Sequence, residues 1–190
     1  MELNMYFLVA IVIVVLIVIG LANTGISAYN RLVMLKNNVA KSFGNIDIIL
    51  KQRADEIPDL IKVVKESMHF EESMLTKLTE LRTQFLKSNS PEEKVALSND
   101  LQNQIKSIFA VAENYPDLKS NQSLQLLQSR VSQIEDAIAD RREFYNESVN
   151  MYNIGIAEFP DLIVAKVINY QAKSLLQVST EEKNYNGIVF

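Results

Sequence analysis

Eighteen consecutive positions, residues 5–22, read MYFLVAIVIVVLIVIGLA and carry no charged side chain. A helix over them is roughly 27 Å long at about 1.5 Å of rise per residue, close to the hydrocarbon thickness of a bilayer. A core helix of a soluble protein keeps a polar face for water, whereas Val, Ile and Leu occupy every face of this one. The stretch reads as a transmembrane helix that tethers the rest of the chain. A cleaved secretory signal is the rival, but that needs Lys or Arg ahead of the apolar run and a small-x-small site behind it. Residues 1–4 offer only Glu2, and Gly20-Leu21-Ala22 is a poor cleavage site. A retained anchor is therefore the expectation. The chain contains no cysteine, which excludes lipid attachment through a thiol, disulfides and thiolate metal sites.

The chain beyond the span is long enough for one domain with its own core, and only five Gly and four Pro punctuate the whole sequence. That scarcity favours long helices over short strands, which need frequent turn residues. The formal charge is −4 with no Lys/Arg block, so a phosphate-tracking surface is not expected and nucleic acid is not a predicted partner. Arg31, Lys36 and Lys41 come after the span while residues 1–4 hold no Lys or Arg. The positive-inside rule then assigns the helical part to the cytoplasmic side.

Past an Asn23-Thr24-Gly25 joint, Ile26, Tyr29, Leu32, Leu35, Val39, Phe43, Ile46 and Leu50 recur in steps of three and four, one stripe of an amphipathic helix. Lys36, Lys41, Asn45 and Gln52 lie opposite. Pro58 interrupts, because it lacks an amide donor and crowds the preceding turn. It either opens a second helix or kinks one very long helix; a turn is favoured, since each half is long enough to pack beside the other. The second stripe is Ile57, Leu60, Ile61, Val64, Met68, Leu75, Leu78, Leu81 and Phe85. Ser90, Pro91 and Glu93 have capping-box spacing and predict a third helix ending near Asn114, with Leu97, Leu101, Ile105, Ile108 and Ala112 inside. Asn121 caps a fourth that runs to Pro160, expected as the longest element, on Leu124, Leu127, Val131, Ile134, Ile138, Tyr145, Val149, Tyr152, Ile156 and Phe159. The predicted fold is all-α: a tail over 1–4, a single transmembrane helix over 5–22, an antiparallel up-and-down four-helix bundle over 23–160 with coiled-coil-like spacing, and a tail over 161–190 that is apolar, then polar. In that topology Phe159 returns to the anchor end. Leu162, Ile163, Val164, Val167 and Ile168 then reach the bilayer interface or cover the base of the bundle, with Lys166 and Lys173 near headgroups.

Several stretches together resemble the LemA family of bacterial membrane-anchored proteins. They are Tyr29-Asn30-Arg31-Leu32-Val33, Ile46-Asp47, residues 50–60 (LKQRADEIPDL), Val64-Lys65, residues 112–119 (AENYPDLK), Tyr145-Asn146, Tyr152-Asn153 and Phe159-Pro160. They span about 130 residues in the family's order. The chain departs from the family at Asp59, where Asn is common, at Phe43, where Trp is, and over residues 161–174, which hold less Gly and Phe. The resemblance implies an inner-membrane anchor, a compact helical bundle, no established enzymatic activity, and a link to membrane organisation, including magnetosome formation.

Chemistry-bearing motifs are sparse. Glu66-Ser67-Met68-His69 is a Glu-x-x-His, but a di-iron bundle needs two such motifs and two further carboxylates, and His69 is the only histidine. It reads as a surface or partly packed helix residue. No nucleophile elbow or phosphate-binding Gly loop occurs. Asn30, Asp47, Arg53, Asn146 and Asn153 are expected to make interhelical hydrogen bonds that fix register. Tyr29, Tyr145 and Tyr152 read as core aromatics. No catalytic, cofactor or metal site is assigned. The expected function is a self-associating, membrane-anchored scaffold or interaction protein whose partners are the bilayer, copies of itself or other membrane proteins. An adaptor for a membrane protease or transporter is the alternative; a small enzyme or metal protein ranks last.

Overall fold

The computed structural model describes residues 2–67, 72–116 and 120–176. Five helices make up these residues, with no strand among them: α1 (Glu2–Ser67), α2 (Glu72–Lys87), α3 (Pro91–Ala112), α4 (Gln122–Ala157) and α5 (Asp161–Val167).

Two expectations about α1 are corrected. No joint divides residues 5–22 from the amphipathic stretch beyond them, and no turn occurs at Pro58: one helix of 66 residues runs through both, and it, not α4 with its 36, is the longest element. The buried positions explain the continuity. Ile46, Leu50, Arg53, Ala54, Ile57, Leu60 and Val64 keep steps of three and four across Pro58, so ending the helix there would take Leu60 and Val64 off the buried face. Pro58 itself is exposed, with its ring in solvent. Its missing N–H leaves the carbonyl of Ala54, four residues back, without the usual helical donor. Arg82 of α2 supplies one, its Nε donating to Ala54 O at 2.8 Å, with its terminal nitrogen 3.8 Å from Asp55. A donor from another helix thus replaces the bond the proline removes.

A double-mutant cycle tests this. Arg82→Ala should cost about 1 to 2 kcal/mol in the native chain, in the range of a charge-assisted bond discounted for partial exposure. In a Pro58→Ala background the new amide can reach Ala54 O, and the same change should cost about 1 kcal/mol less. Equal costs in both backgrounds, measured by chemical unfolding of the chain in lipid nanodiscs, would refute the replacement.

The caps agree closely with the sequence. Ser90 is extended and its Oγ accepts from Glu93 N at 3.4 Å, with Pro91 in the first turn of α3. The Glu93 carboxylate accepts from Ser88 Oγ at 2.6 Å, so the loop before α3 is tied to its first turn. Asn121 Oδ1 accepts from the amides of Ser123 and Leu124 at 2.9 and 3.2 Å, opening α4. Helix α5 ends in a Schellman motif: Asn169 takes φ 55°, and the amides of Asn169 and Tyr170 bond the carbonyls of Lys166 and Ala165.

The chain forms two compact units, both drawing on α1 and α4. The first joins residues 2–41 with Tyr145–Leu175. Its core is Val39, Val149 and Tyr152, with Leu35, Tyr145, Ile156 and Tyr170 packed against them. Gly155 brings α4 close to α1, since a Cβ there would lie 2.5 Å from Leu35 Cδ1. The second unit is built on Ser42–Phe144. Leu50, Ile57, Leu60, Leu78, Phe85, Leu101, Ile105 and Ile108 are all at most 2 % exposed in it. Of the residues expected inside, Ile26, Tyr29 and Phe159 are exposed, and Leu35, Phe43, Ile61, Leu81, Leu97, Ile134, Tyr145 and Ile156 are half-buried. Met68 and His69 lie outside the described residues.

Candidate membrane anchor and juxtamembrane cluster

Within α1, every large apolar side chain from Tyr6 to Leu21 is between 44 and 68 % exposed. None is buried by the rest of the chain, so this part of the helix is apolar all round. It is the one helix among the described residues long and apolar enough to cross a membrane. Thr24, just past the run, turns its hydroxyl back to Gly20 O at 2.9 Å, which lets a polar side chain sit on the helix without an open donor.

Beyond it lies a charged cluster. Arg31 Nε donates to Asp161 Oδ2, and its terminal nitrogen lies 3.4 Å from Glu158 Oε2. The Asp161 side chain is 4 % exposed and Arg31 46 %, so a buried carboxylate is neutralised by a half-exposed guanidinium. The hydrogen bond to Asp161 is the largest influence raising the Arg31 pKa above its ordinary value, partly offset by desolvation. A groove of about 490 Å³ opens here, lined by Asn23, Thr24, Ser27, Ala28 and Arg31 from α1 and by residues 158–161. The charge pattern after the span pointed to Arg31 only as a marker of sidedness; its partner stands 130 positions away and left no local signal.

The polar residues singled out by sequence do not converge. In the first unit, Asn30 is exposed. Asn153 holds the segment after α5 through paired bonds, donating to Lys173 O and accepting from Lys173 N, both at 2.9 Å. Tyr152 donates to Gln171 O at 3.1 Å, and burial, then Tyr170, raises its pKa above the ordinary tyrosine value. Lys36 Nζ lies 4.6 Å from the centroid of the Tyr170 ring. In the second unit, Asp47 accepts from Lys94 Nζ at 2.7 and 2.9 Å. Arg53, 1 % exposed, donates from one terminal nitrogen to both Ser98 O (3.1 Å) and Ser98 Oγ (3.0 Å). Each bond ties one element to another, the geometry of register-fixing contacts. No group of three or more His, Asp or Glu able to hold a metal occurs among the described residues.

Comparison with known proteins agrees with the resemblance. The chain is 23 % identical to magnetosome protein MamQ 2 and to magnetosome protein MamQ 1 of Paramagnetospirillum magneticum, each over 87 % of this chain and 71 % of the relative. It is 19 % identical to magnetosome protein MamQ of Magnetospirillum gryphiswaldense, over 83 % of this chain and 67 % of the relative. The profile of the LemA family matches residues 42–190, most of the helical part, and the chain therefore belongs to the LemA family.

Proposed function

We propose that this is a single-pass membrane protein, anchored by its N-terminal apolar segment, whose helical part is a non-enzymatic scaffold that assembles with copies of itself on the cytoplasmic side of a bacterial inner membrane. The observation that carries this is the continuity of α1. The helix with the exposed apolar run also supplies Ala28, Leu32 and Val39 to one core and Ile46, Leu50 and Val64 to the other. The helical part is thus joined to the anchor by continuous helix and not by a Gly/Ser linker, and partners bound to it are tied to the membrane. The up-and-down bundle is part of the proposal. It is supported in the second unit by the pairs Asp47–Lys94 and Arg53–Ser98, whose shared order has α3 running along α1, and by contacts of α2 and α4 with α1 through Arg82–Asp55 and Arg130–Glu56. Self-association draws on exposed apolar groups outside the span, Met34, Met151 and Ile154 among them. The relatives' name, magnetosome protein, fits a role in membrane organisation.

The test is direct. The protein should stay in the membrane pellet after alkaline carbonate, and Val14→Arg should impair insertion by about 2.5 to 3.5 kcal/mol on insertion scales. A cysteine introduced at Met151, in a chain with none of its own, should give disulfide-linked dimers when isolated native membranes are treated with a mild oxidant such as copper phenanthroline. Release of the chain without its apolar segment would remove the anchor; monomers alone, from several exposed positions, would remove self-association.

A further inference from the structure

We infer that the Phe159–Pro160 turn between α4 and α5 is a second membrane contact, with the Phe159 ring seated in the headgroup layer beside the N-terminal span; this rests on the anchor proposed above. In the first unit, successive contacts step down α1 as α4 ends: Gly155 meets Leu35, Glu158 reaches Arg31, and Phe159 shares a groove with Asn23 and Thr24. Asn23 and Thr24 come directly after the apolar run, about 1.5 to 3 Å of helical rise past its end. The headgroup region extends about 5 to 8 Å beyond the hydrocarbon on each side. A side chain level with Thr24 therefore lies within it.

The chemistry of the turn suits that depth. Phe159 is 80 % exposed, and Ile163 and Val167, at steps of four, are 56 and 80 % exposed. Ile163 and Val167 share a face of α5 whose opposite side is buried through Asp161 and Ala165, and Phe159 stands on the turn just before it. Bonding of Asp161 to Arg31 holds the turn against the anchor helix, so the ring is presented rather than free to swing. A ring in this position gains burial from lipid without disturbing the core behind it. The occupant is the bilayer interface because the exposed groove is continuous with the span itself.

The chain has no tryptophan, so single-Trp variants of the full-length protein report depth in vesicles of phosphatidylcholine and phosphatidylglycerol carrying lipids brominated near the headgroup end of the chain. Phe159→Trp should emit to the blue of Asn38→Trp and be quenched at least twofold more. Asn38 is an exposed α1 position about 24 Å of rise beyond the span. Val14→Trp, at the middle of the span, is the reference for the anchor and is read with lipids brominated near the methyl end of the chain. A quenched Val14→Trp with Phe159→Trp no different from Asn38→Trp would overturn the second contact and leave the anchor standing. An unquenched Val14→Trp would overturn both. Phe159→Cys carrying a fluorophore repeats the reading without the indole, and its agreement with Asn38→Cys would count equally against the inference.

Discussion

Arg53→Ala is expected to destabilise the second unit by about 2 to 5 kcal/mol, the range for cutting a large buried side chain back to Ala. The side chain is among the largest fully buried ones, and its stem fills space between α1 and α3 as a leucine would. Truncation therefore adds a cavity to the loss of the two hydrogen bonds that one terminal nitrogen makes to Ser98. Arg53→Met separates the two contributions. It keeps most of the volume and removes the donors, so it should cost less, about 1 to 3 kcal/mol, as the loss of hydrogen bonds to a charged group. Denaturant unfolding in lipid nanodiscs measures both. Equal costs would mean that Arg53 acts through its hydrogen bonds alone, and a full cost for Arg53→Ala with almost none for Arg53→Met that it acts by packing alone; costs under about 1 kcal/mol for both would mean that it does not tie α1 to α3.

Arg53 also marks how far sequence could reach. Periodicity located the helices because each buries one stripe, and the caps at Ser90 and Asn121 were legible because capping is a contact between residues two or three apart. Arg53 and Asp47 could be expected to bond across helices, since polar groups beside a buried stripe must be paired. Their partners could not be read, because Ser98 and Lys94 lie 45 and 47 positions away. The misreading at Pro58 has the same origin. Its local cost to a helix is real, but it is offset by Arg82, 28 residues beyond the carbonyl it reaches, and by a buried stripe that keeps its period. A propensity argument contains neither term. At the candidate site, the apolar run was plain from composition, whereas the Arg31–Asp161 bond that closes the groove beside it depends on α4 returning along α1. Phe159 fits the apolar period of α4, yet α4 ends at Ala157 and the ring falls on the turn beyond it, exposed.

Ile57→Ala tests how firmly the buried face of α1 is held at the residue before the proline. Ile57 is 1 % exposed and directly precedes the proline; Ile48, on the same helix and in the same unit, is 58 % exposed. The two substitutions are chemically identical and share the same gain of a few tenths of a kcal/mol in helix propensity. Their difference therefore isolates burial. Ile57→Ala should cost about 2 to 5 kcal/mol, from lost transfer free energy and the cavity left behind. Ile48→Ala should fall within about 0.5 kcal/mol of the native chain. If Ile57 were not held in the core, the two variants would converge. A gap of more than about 1.5 kcal/mol, read from denaturant midpoints at a shared slope, requires Ile57 to be held on the buried face that Leu50 and Val64 also occupy, where the unbroken period of α1 places it.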